Sequence, residues 1–301
     1  MEPLISVLIA TYNRCSNLIN IIDLLENQTL PKNQFEIIVT DSFSSDGTKE
    51  AVNLKKLEYN NIVYKEDCEN ILANKRNQGI KLAKSRVVLF LDDDVYPYDK
   101  HFLKNHYKAN LNNNDTFYCG QVRFDAQLVE KSNYFRFRDD QHLKNDSIGI
   151  DLPFNKIVVM NLSFKKEFIS SVGYVDERFV NYGAEDTEFG YRIVKNGFKI
   201  RYLDDAIAIH RENSKDIVEY SRNIAKTAMY GKKTLREINE NVLNELTQSK
   251  FDKKNIFNNF LFNDFLGNMV KIFLIGTDKI RILYNYYLYK YYLFYVNYKY
   301  I

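Results

Sequence analysis

Apolar residues cluster in short blocks along the first ninety residues, at 4–11, 35–40, 62–65 and 87–91. The last block, Val87-Val88-Leu89-Phe90-Leu91, has no polar position. Both faces of such a segment need cover, as in a strand within a parallel sheet. Between the blocks the spacing changes. Residues 17–26 put apolar side chains at 18, 21, 22 and 25, a helical period, and 49–57 and 70–83 also read as helices. This alternation predicts an α/β fold, a Rossmann-like, mostly parallel sheet with helices on both faces.

The pattern is less regular further on. It predicts a helix over 99–110, a strand over 116–124, a strand over 156–164 and a short helix over 165–171. Residues 125–155 mix charge and aromatic side chains with no clean period. A loop at 180–186 opens a helix that Gly197 ends, and short strands follow at 198–202 and 206–210. From 214 onward the chain reads as helical, in segments 216–231, 233–246, 255–265 and 267–300.

Charge divides the chain at the same place. The net formal charge of +3 separates into −3 for residues 1–210 and +6 for 211–301. This predicts a domain boundary near residue 211, between an acidic α/β body over 1–210 and a helical, basic, aromatic region over 211–301. The charge density of the tail is too low for a nucleic-acid-binding surface. Its aromatic and basic residues suit either peripheral membrane contact or a packed helical cap or homo-oligomer interface. Cys15, Cys68 and Cys119 are far apart and odd in number, as expected of free thiols in a reducing, cytoplasmic setting, here at the inner face of a membrane if the tail binds one. The start lacks a basic n-region and reads as a first strand, and no run of about 18 apolar residues predicts a transmembrane helix.

The chemistry lies at the ends of the blocks. Val87–Leu91 runs straight into Asp92, Asp93 and Asp94. Open α/β sheets bind ligands at the carboxyl ends of their strands. Three adjacent carboxylates call for a cation or for water, and strand alternation would put Asp92 and Asp94 on one side. Asp41 ends the second block, His210 ends the last strand, and Glu185-Asp186 open a helix. Each has an ordinary alternative: a solvated turn, a structural histidine, or carboxylates favoured by a helix N-terminus.

As an ordered set these features resemble the GT-A glycosyltransferases of the large inverting family 2, of the chondroitin-polymerase and polypeptide GalNAc-transferase type. The resemblance is carried by Ser6-Val7-Leu8-Ile9-Ala10-Thr11-Tyr12-Asn13-Arg14, Val39-Thr40-Asp41 with Ser45-Asp46-Gly47-Thr48, and Ala73-Asn74-Lys75-Arg76-Asn77-Gln78-Gly79-Ile80. It continues through Phe90-Leu91-Asp92-Asp93-Asp94, Met160-Asn161-Leu162-Ser163-Phe164, Val172-Gly173-Tyr174-Val175-Asp176-Glu177 and Tyr182-Gly183-Ala184-Glu185-Asp186-Thr187-Glu188. It covers residues 4 to 210.

The resemblance implies a nucleotide-sugar donor, expected to be a UDP-sugar, and a glycan or lipid-linked acceptor in bacterial surface polysaccharide synthesis. It implies Mn2+ or Mg2+ held by Asp94, Asp92 and His210. Thr11, Asp41, Arg76, Asp92 and Asp93 fall on the donor and nucleotide side. Asn161, Tyr182 and Glu185 fall on the sugar and acceptor side. Asp186 is the expected general base. Tyr182 stands where many relatives have Trp, and its ring can still stack on a sugar. Two alternatives are a nucleotidyltransferase of sugar metabolism and a GT-A protein that binds without turnover. The first has no need of Glu185, Asp186 and His210, and the second would not be expected to keep every carboxylate.

Overall fold

The computed structural model describes residues 2–112, 114–142, 147–211, 214, 216–248 and 263–300. It contains two compact units. The first comprises residues 1–123, 143–180 and 185–211; the second comprises 124–142, 181–184 and 212–301. The second unit therefore recruits two pieces from before residue 210, where a single contiguous division was expected.

The first unit is built on an eight-stranded sheet of β1 (Ile5–Thr11), β2 (Phe35–Asp41), β3 (Ile62–Lys65), β4 (Val87–Leu91), β5 (Val95–Pro97), β6 (Thr116–Arg123), β7 (Asn161–Lys165) and β8 (Lys199–His210). Their order is β3-β2-β1-β4-β7-β6-β8-β5. The first four are mutually parallel, whereas β7 is antiparallel to both β4 and β6, and β5 is antiparallel to β8. The chain leaves β1 for β2 on one side and returns to β4 on the other. That reversal opens a crevice at the carboxyl ends of β1 and β4, the usual ligand position in open α/β sheets.

Side-chain alternation fixes the two faces. Ile5, Val7 and Ile9 of β1, with Val87, Leu89 and Leu91 of β4, pack against Leu18, Ile21, Ile22 and Leu25 of helix α1 (Cys15–Glu26). Leu8, Ile38, Val88 and Phe90 point the other way, toward Ala73 and Ile80 of α3 (Leu72–Leu82), which follows α2 (Thr48–Glu58) in the chain. Phe117 lies centrally in that second core, with its ring 4.8 Å from Phe164 and 5.5 Å from Phe168. Each such buried side chain contributes about 1.5–3 kcal/mol, so a polar substitution at these positions should be destabilising.

The expected helix over 99–110 is α4 (Phe102–Leu111). The two short strands expected near 198–210 are one strand, β8, whose middle exposes Asp204 and Asp205. A register shift against β6 between Gly120 and Val122 bends this pairing. The strand expected over 156–164 is confined to Asn161–Lys165, with a 3-10 turn at Phe154–Lys156 before it. The short helix expected over 165–171 is a 3-10 turn at Lys166–Phe168 continuing into α7 (Ile169–Val172).

The second unit is helical. Residues 125–155, read as aperiodic, contain α5 (Ala126–Lys131) and α6 (Asn133–Asp140), capped by the Asp125 and Ser132 side chains. These helices are too short to display a period. After α8 (Glu185–Lys195) of the first unit come α9 (Ile217–Ile238), α10 (Glu240–Gln248), α11 (Asp264–Gly276) and α12 (Tyr286–Tyr300). Most of the helix expected at 255–265 lies outside the described residues. The helix expected over 267–300 is broken at 277–285. There Asp278 accepts from Ser132 Oγ at 3.0 Å and from the Tyr134 amide at 2.7 Å. Asn133 Nδ2 meanwhile donates to the Thr277 and Ile280 carbonyls. Satisfying those groups holds the break in place. Tyr289, Tyr292 and Val296 of α12 are buried with Phe137, Ile217, Val270 and Leu274, so this part of the aromatic tail is a packed core.

Candidate functional site

The carboxyl edge of the first unit's sheet brings together most of the side chains singled out in the sequence. Register places Thr11 beside Asp41. Asp92–Asp94 follow β4 directly, and His210 pairs with Val95 where β8 meets β5. Two loops form one wall. Asn13, at φ 52°, accepts from the Ser45 amide at 2.8 Å, and Asp46 accepts from the Cys15 amide at 2.8 Å.

The three aspartates do not follow strand alternation. Val95 N donates to the Asp92 carbonyl at 3.0 Å, so the chain turns there and the side chains fan out. Asp92 accepts from Arg76 at 3.0 Å. Asp93 accepts from Thr11 Oγ1 at 2.9 Å and from Arg14 at 3.0 Å. Asp94 accepts from the same Arg14 nitrogen at 2.7 Å through Oδ2, while its Oδ1 lies 3.8 Å from His210 Nε2. It is therefore Asp93 and Asp94 that share a partner, with Asp92 held elsewhere.

Arg76 is the centre of the edge. Its guanidinium is 4% exposed and bridges Asp92 to Asp186, which accepts at 3.1 Å. Burial opposes the charge, but Asp92, Asp186 and Glu185 outweigh it and raise the Arg76 pKa, so it stays protonated. Asp186 lies in the first turn of α8, recessed but with 31% of its side chain exposed. Burial, with Glu185 and Asp92 adding to it against the pull of Arg76, lifts its carboxyl well above the usual carboxylate range. Asp93 is pushed up to about 6, first by burial and in part against Arg14. Such carboxylates mark proton-transfer or ligand sites more often than solvated turns.

Asp41 is fully buried. It accepts from Ser42 N, Ser44 N, Ser44 Oγ and Tyr64 OH, which shapes the loop after β2. Glu185 is buried beside Asp186. Tyr182 is exposed and belongs to the second unit. In that loop a Cβ on Gly183 would stand 2.2 Å from the Thr227 carbonyl, which accounts for the glycine, and Ala184 sits at φ 69°.

Asn161 departs from the expected sugar contact. It is fully buried, donates to the Gln121 and Ala206 carbonyls at 3.2 and 3.1 Å, and accepts from His106 Nε2 at 2.8 Å. It satisfies carbonyls at the β6–β8 irregularity, so its amide has no surface to offer a sugar. A Cβ on Gly120 would lie 2.3 Å from Asn161 Nδ2, and hence only glycine leaves room for it. Burial drives the His106 pKa down to about 3, and the imidazole is neutral.

Two cations escaped the sequence reading. Arg14 follows β1 and meets two of the three aspartates, as a cation one turn beyond a strand in an acidic crevice could suggest. Lys75, which is buried, donates to the Thr11 carbonyl at 3.0 Å, and burial lowers its pKa. Asn77 and Asn74 both donate to Glu177, tying down the helix that carries Arg76.

Among the described residues no three histidine, cysteine or acidic side chains converge as a metal-ligand cluster, so the expected Asp92, Asp94 and His210 trio is not assembled. Arg76 takes Asp92 out of it. Asp94 Oδ1 and His210 Nε2 remain suitably close, and this oxygen and nitrogen pair suits Mn2+.

The mixed, mostly parallel sheet with carboxylates at its switch point is the arrangement of a GT-A glycosyltransferase fold. The family model for glycosyl transferase family 2 matches residues 6–160, and that for the N-terminal domain of galactosyltransferase matches 140–215. The chain belongs to glycosyltransferase family 2. It is 28% identical over 273 residues to a chondroitin synthase of Pasteurella multocida, which covers 79% of this chain and 27% of that one. It therefore spans about a quarter of that relative's length. A mannosyltransferase from Pyrobaculum calidifontis in complex with GDP-Man and Mn2+ has the same fold, with a TM-score of 0.58 at 15% identity over 99% of this chain and 87% of the other. GalNAc-T7 with UDP, GalNAc and Mn2+ gives 0.56 at 17% identity over 72% and 47%.

Proposed function

We propose that the chain is an inverting, divalent-metal-dependent glycosyltransferase that moves a hexose or N-acetylhexosamine from a UDP-sugar to a hydroxyl of a glycan or lipid-linked acceptor in bacterial surface polysaccharide synthesis. The observation that carries this reading is the Arg76 bridge, which ties a raised-pKa carboxylate, Asp186, to the aspartate motif at the end of β4. The Mn2+ bound in both structural neighbours and the similarity to a chondroitin synthase support it.

In this mechanism Asp94 and His210 would hold the divalent cation, which supplies charge neutralisation for the departing diphosphate. Thr11 fixes Asp93, and the loops around Asn13 and Asp41 shape the nucleoside side. Asp186 takes the proton of the acceptor hydroxyl as that oxygen attacks the anomeric carbon and the bond to the diphosphate breaks. Its raised pKa brings it closer to that of a base working near neutral pH. Arg76 holds Asp186 in place, and Glu185 lies beside it for the sugar hydroxyls.

The test is a panel of UDP- and GDP-sugars with Mn2+, scored by thermal stabilisation and then by product. A matched donor at about 100 times Kd should add about 2.7 kcal/mol of stability. Free UDP and a product of inverted anomeric configuration are expected. Release of pyrophosphate, retention of configuration, or full turnover by metal-free protein in excess chelator would each overturn the corresponding part of the reading.

A further inference from the structure

The second unit carries an apolar surface that the catalytic reading leaves unused. Helix α11 buries Gly267, Val270 and Leu274 on one side. Phe265, Met269, Ile272 and Phe273, at helical spacing on the opposite side, are exposed, Ile272 to 72%. The following turn adds Ile280 and Ile282, both exposed. Soluble monomers seldom leave such a face uncovered.

Charge identifies what covers it. Lys271, Lys279 and Arg281 stand on or directly after this helix and form no ion pair among the described residues. Of the segment's two carboxylates, Asp264 is paired with Lys299, while Asp278 accepts from Ser132, Tyr134 and Tyr289 and keeps its charge, so three cations stand against one unpaired anion. The net field beside the apolar face is therefore positive. In a two-fold dimer this patch would meet its own copy and oppose like charges. An anionic bilayer complements both features, with apolar side chains entering the acyl boundary and cations meeting headgroup phosphates. The 13 residues of α11 span about 20 Å, shorter than the roughly 30 Å hydrocarbon core, and no described helix is long and apolar enough to cross a membrane.

We propose that α11 and the turn after it dock this protein in the plane of an anionic membrane surface, through Phe265, Met269, Ile272 and Phe273 with Lys279 and Arg281. The buried tyrosines of α12 support this face from behind and take no part in the contact. The inference is independent of the donor and base assignments, because its readout requires no turnover.

The chain has no tryptophan, which permits a direct test. An Ile272→Trp variant of the full chain would carry the sole indole, and Leu57→Trp, at an exposed position in the first unit, is the control. With phosphatidylglycerol-containing vesicles the indole of Ile272→Trp should shift to the blue and be quenched by brominated acyl chains, and that of Leu57→Trp should do neither. Co-sedimentation of the unaltered chain should weaken with salt, and Ile272→Asp should lower it by about tenfold, the worth of one buried aliphatic side chain. Lys279→Glu with Arg281→Glu should remove the preference over phosphatidylcholine vesicles. Absence of binding at low salt would overturn the proposal. So would light scattering that shows a dimer dissociated by Ile272→Asp, since a second copy would then be the occupant.

Discussion

Two arginines each hold two carboxylates at the same sheet edge, in different surroundings. Arg76 joins Asp92 to Asp186 with 4% of its side chain exposed, whereas Arg14 joins Asp93 to Asp94 with 35% exposed. A buried ion cluster depends on its partners, because each lone charge would pay a large desolvation cost. In the Arg14 cluster the guanidinium itself reaches water and can exchange partners at lower cost, while Asp93 and Asp94 are only 11% and 17% exposed. The Arg76 cluster is thus suited to hold a base in fixed geometry, and the Arg14 cluster to rearrange when an anionic ligand arrives.

The comparison is sharpened most by Arg76→Ala. Removing the shared cation leaves Asp92 and Asp186 without their bridge, but at 23% and 31% exposure both can take up water, so the loss should be about 1–3 kcal/mol. Denaturant unfolding measures this directly. Arg76→Lys should recover part of the stability but less of the activity, because one ammonium cannot reproduce a planar fork that reaches two carboxylates. Equal loss from Arg14→Ala would break the comparison at its root.

The next effect belongs to Asp186. Asp186→Asn keeps the size and removes the proton acceptor, so kcat should fall at least about 10²-fold with donor binding retained. The wild-type rate should rise with pH along a limb lying above the usual carboxylate value of about 4, since burial raises the Asp186 pKa. Stability should move oppositely. The folded state holds this proton more tightly than the unfolded chain, so the group's contribution falls as pH rises from the unfolded pKa through the raised folded one. Both trends should be absent from Asp186→Asn, and a limb unchanged in that variant would assign it to another group.

The parallel half of the sheet was legible because its strands are buried on both faces and its helices alternate with them. Val87–Leu91 and Ile62–Lys65 match their apolar blocks residue for residue. The edge carboxylates were legible as types, but their partners were not. Nothing local to Asp92 reveals that a turn hydrogen bond from Val95 breaks the alternation, or that Arg76 reaches it from another helix. Asn161 was misread for a related reason. Its position within a motif drew attention to function, while its work is to satisfy carbonyls exposed by an irregularity between β6 and β8, a pairing of strands distant in sequence. In α11 the exposed and buried sides are both apolar, so periodicity could not separate a core face from a docking face.

The smallest effect expected is also the most discriminating. Arg14→Ala should change stability by no more than about 1 kcal/mol, roughly fivefold in the folding equilibrium, because water can replace much of what a half-exposed guanidinium supplies. Its local consequence is larger. Arg14 opposes the burial that raises Asp93, so without it the Asp93 carboxyl should titrate above its present value of about 6. Carboxyl-carbon NMR would follow that shift without requiring turnover. Arg14 also binds Asp94 Oδ2 and thereby turns Oδ1 toward His210. If this orientation matters, Mn2+ affinity measured by electron paramagnetic resonance without nucleotide should weaken by a few-fold in Arg14→Ala and recover in Arg14→Lys. If Arg14 instead competes with the cation for Asp94, removing it should tighten Mn2+ binding, and the exposed cluster would then act as a displaceable counter-ion and not as a positioning device.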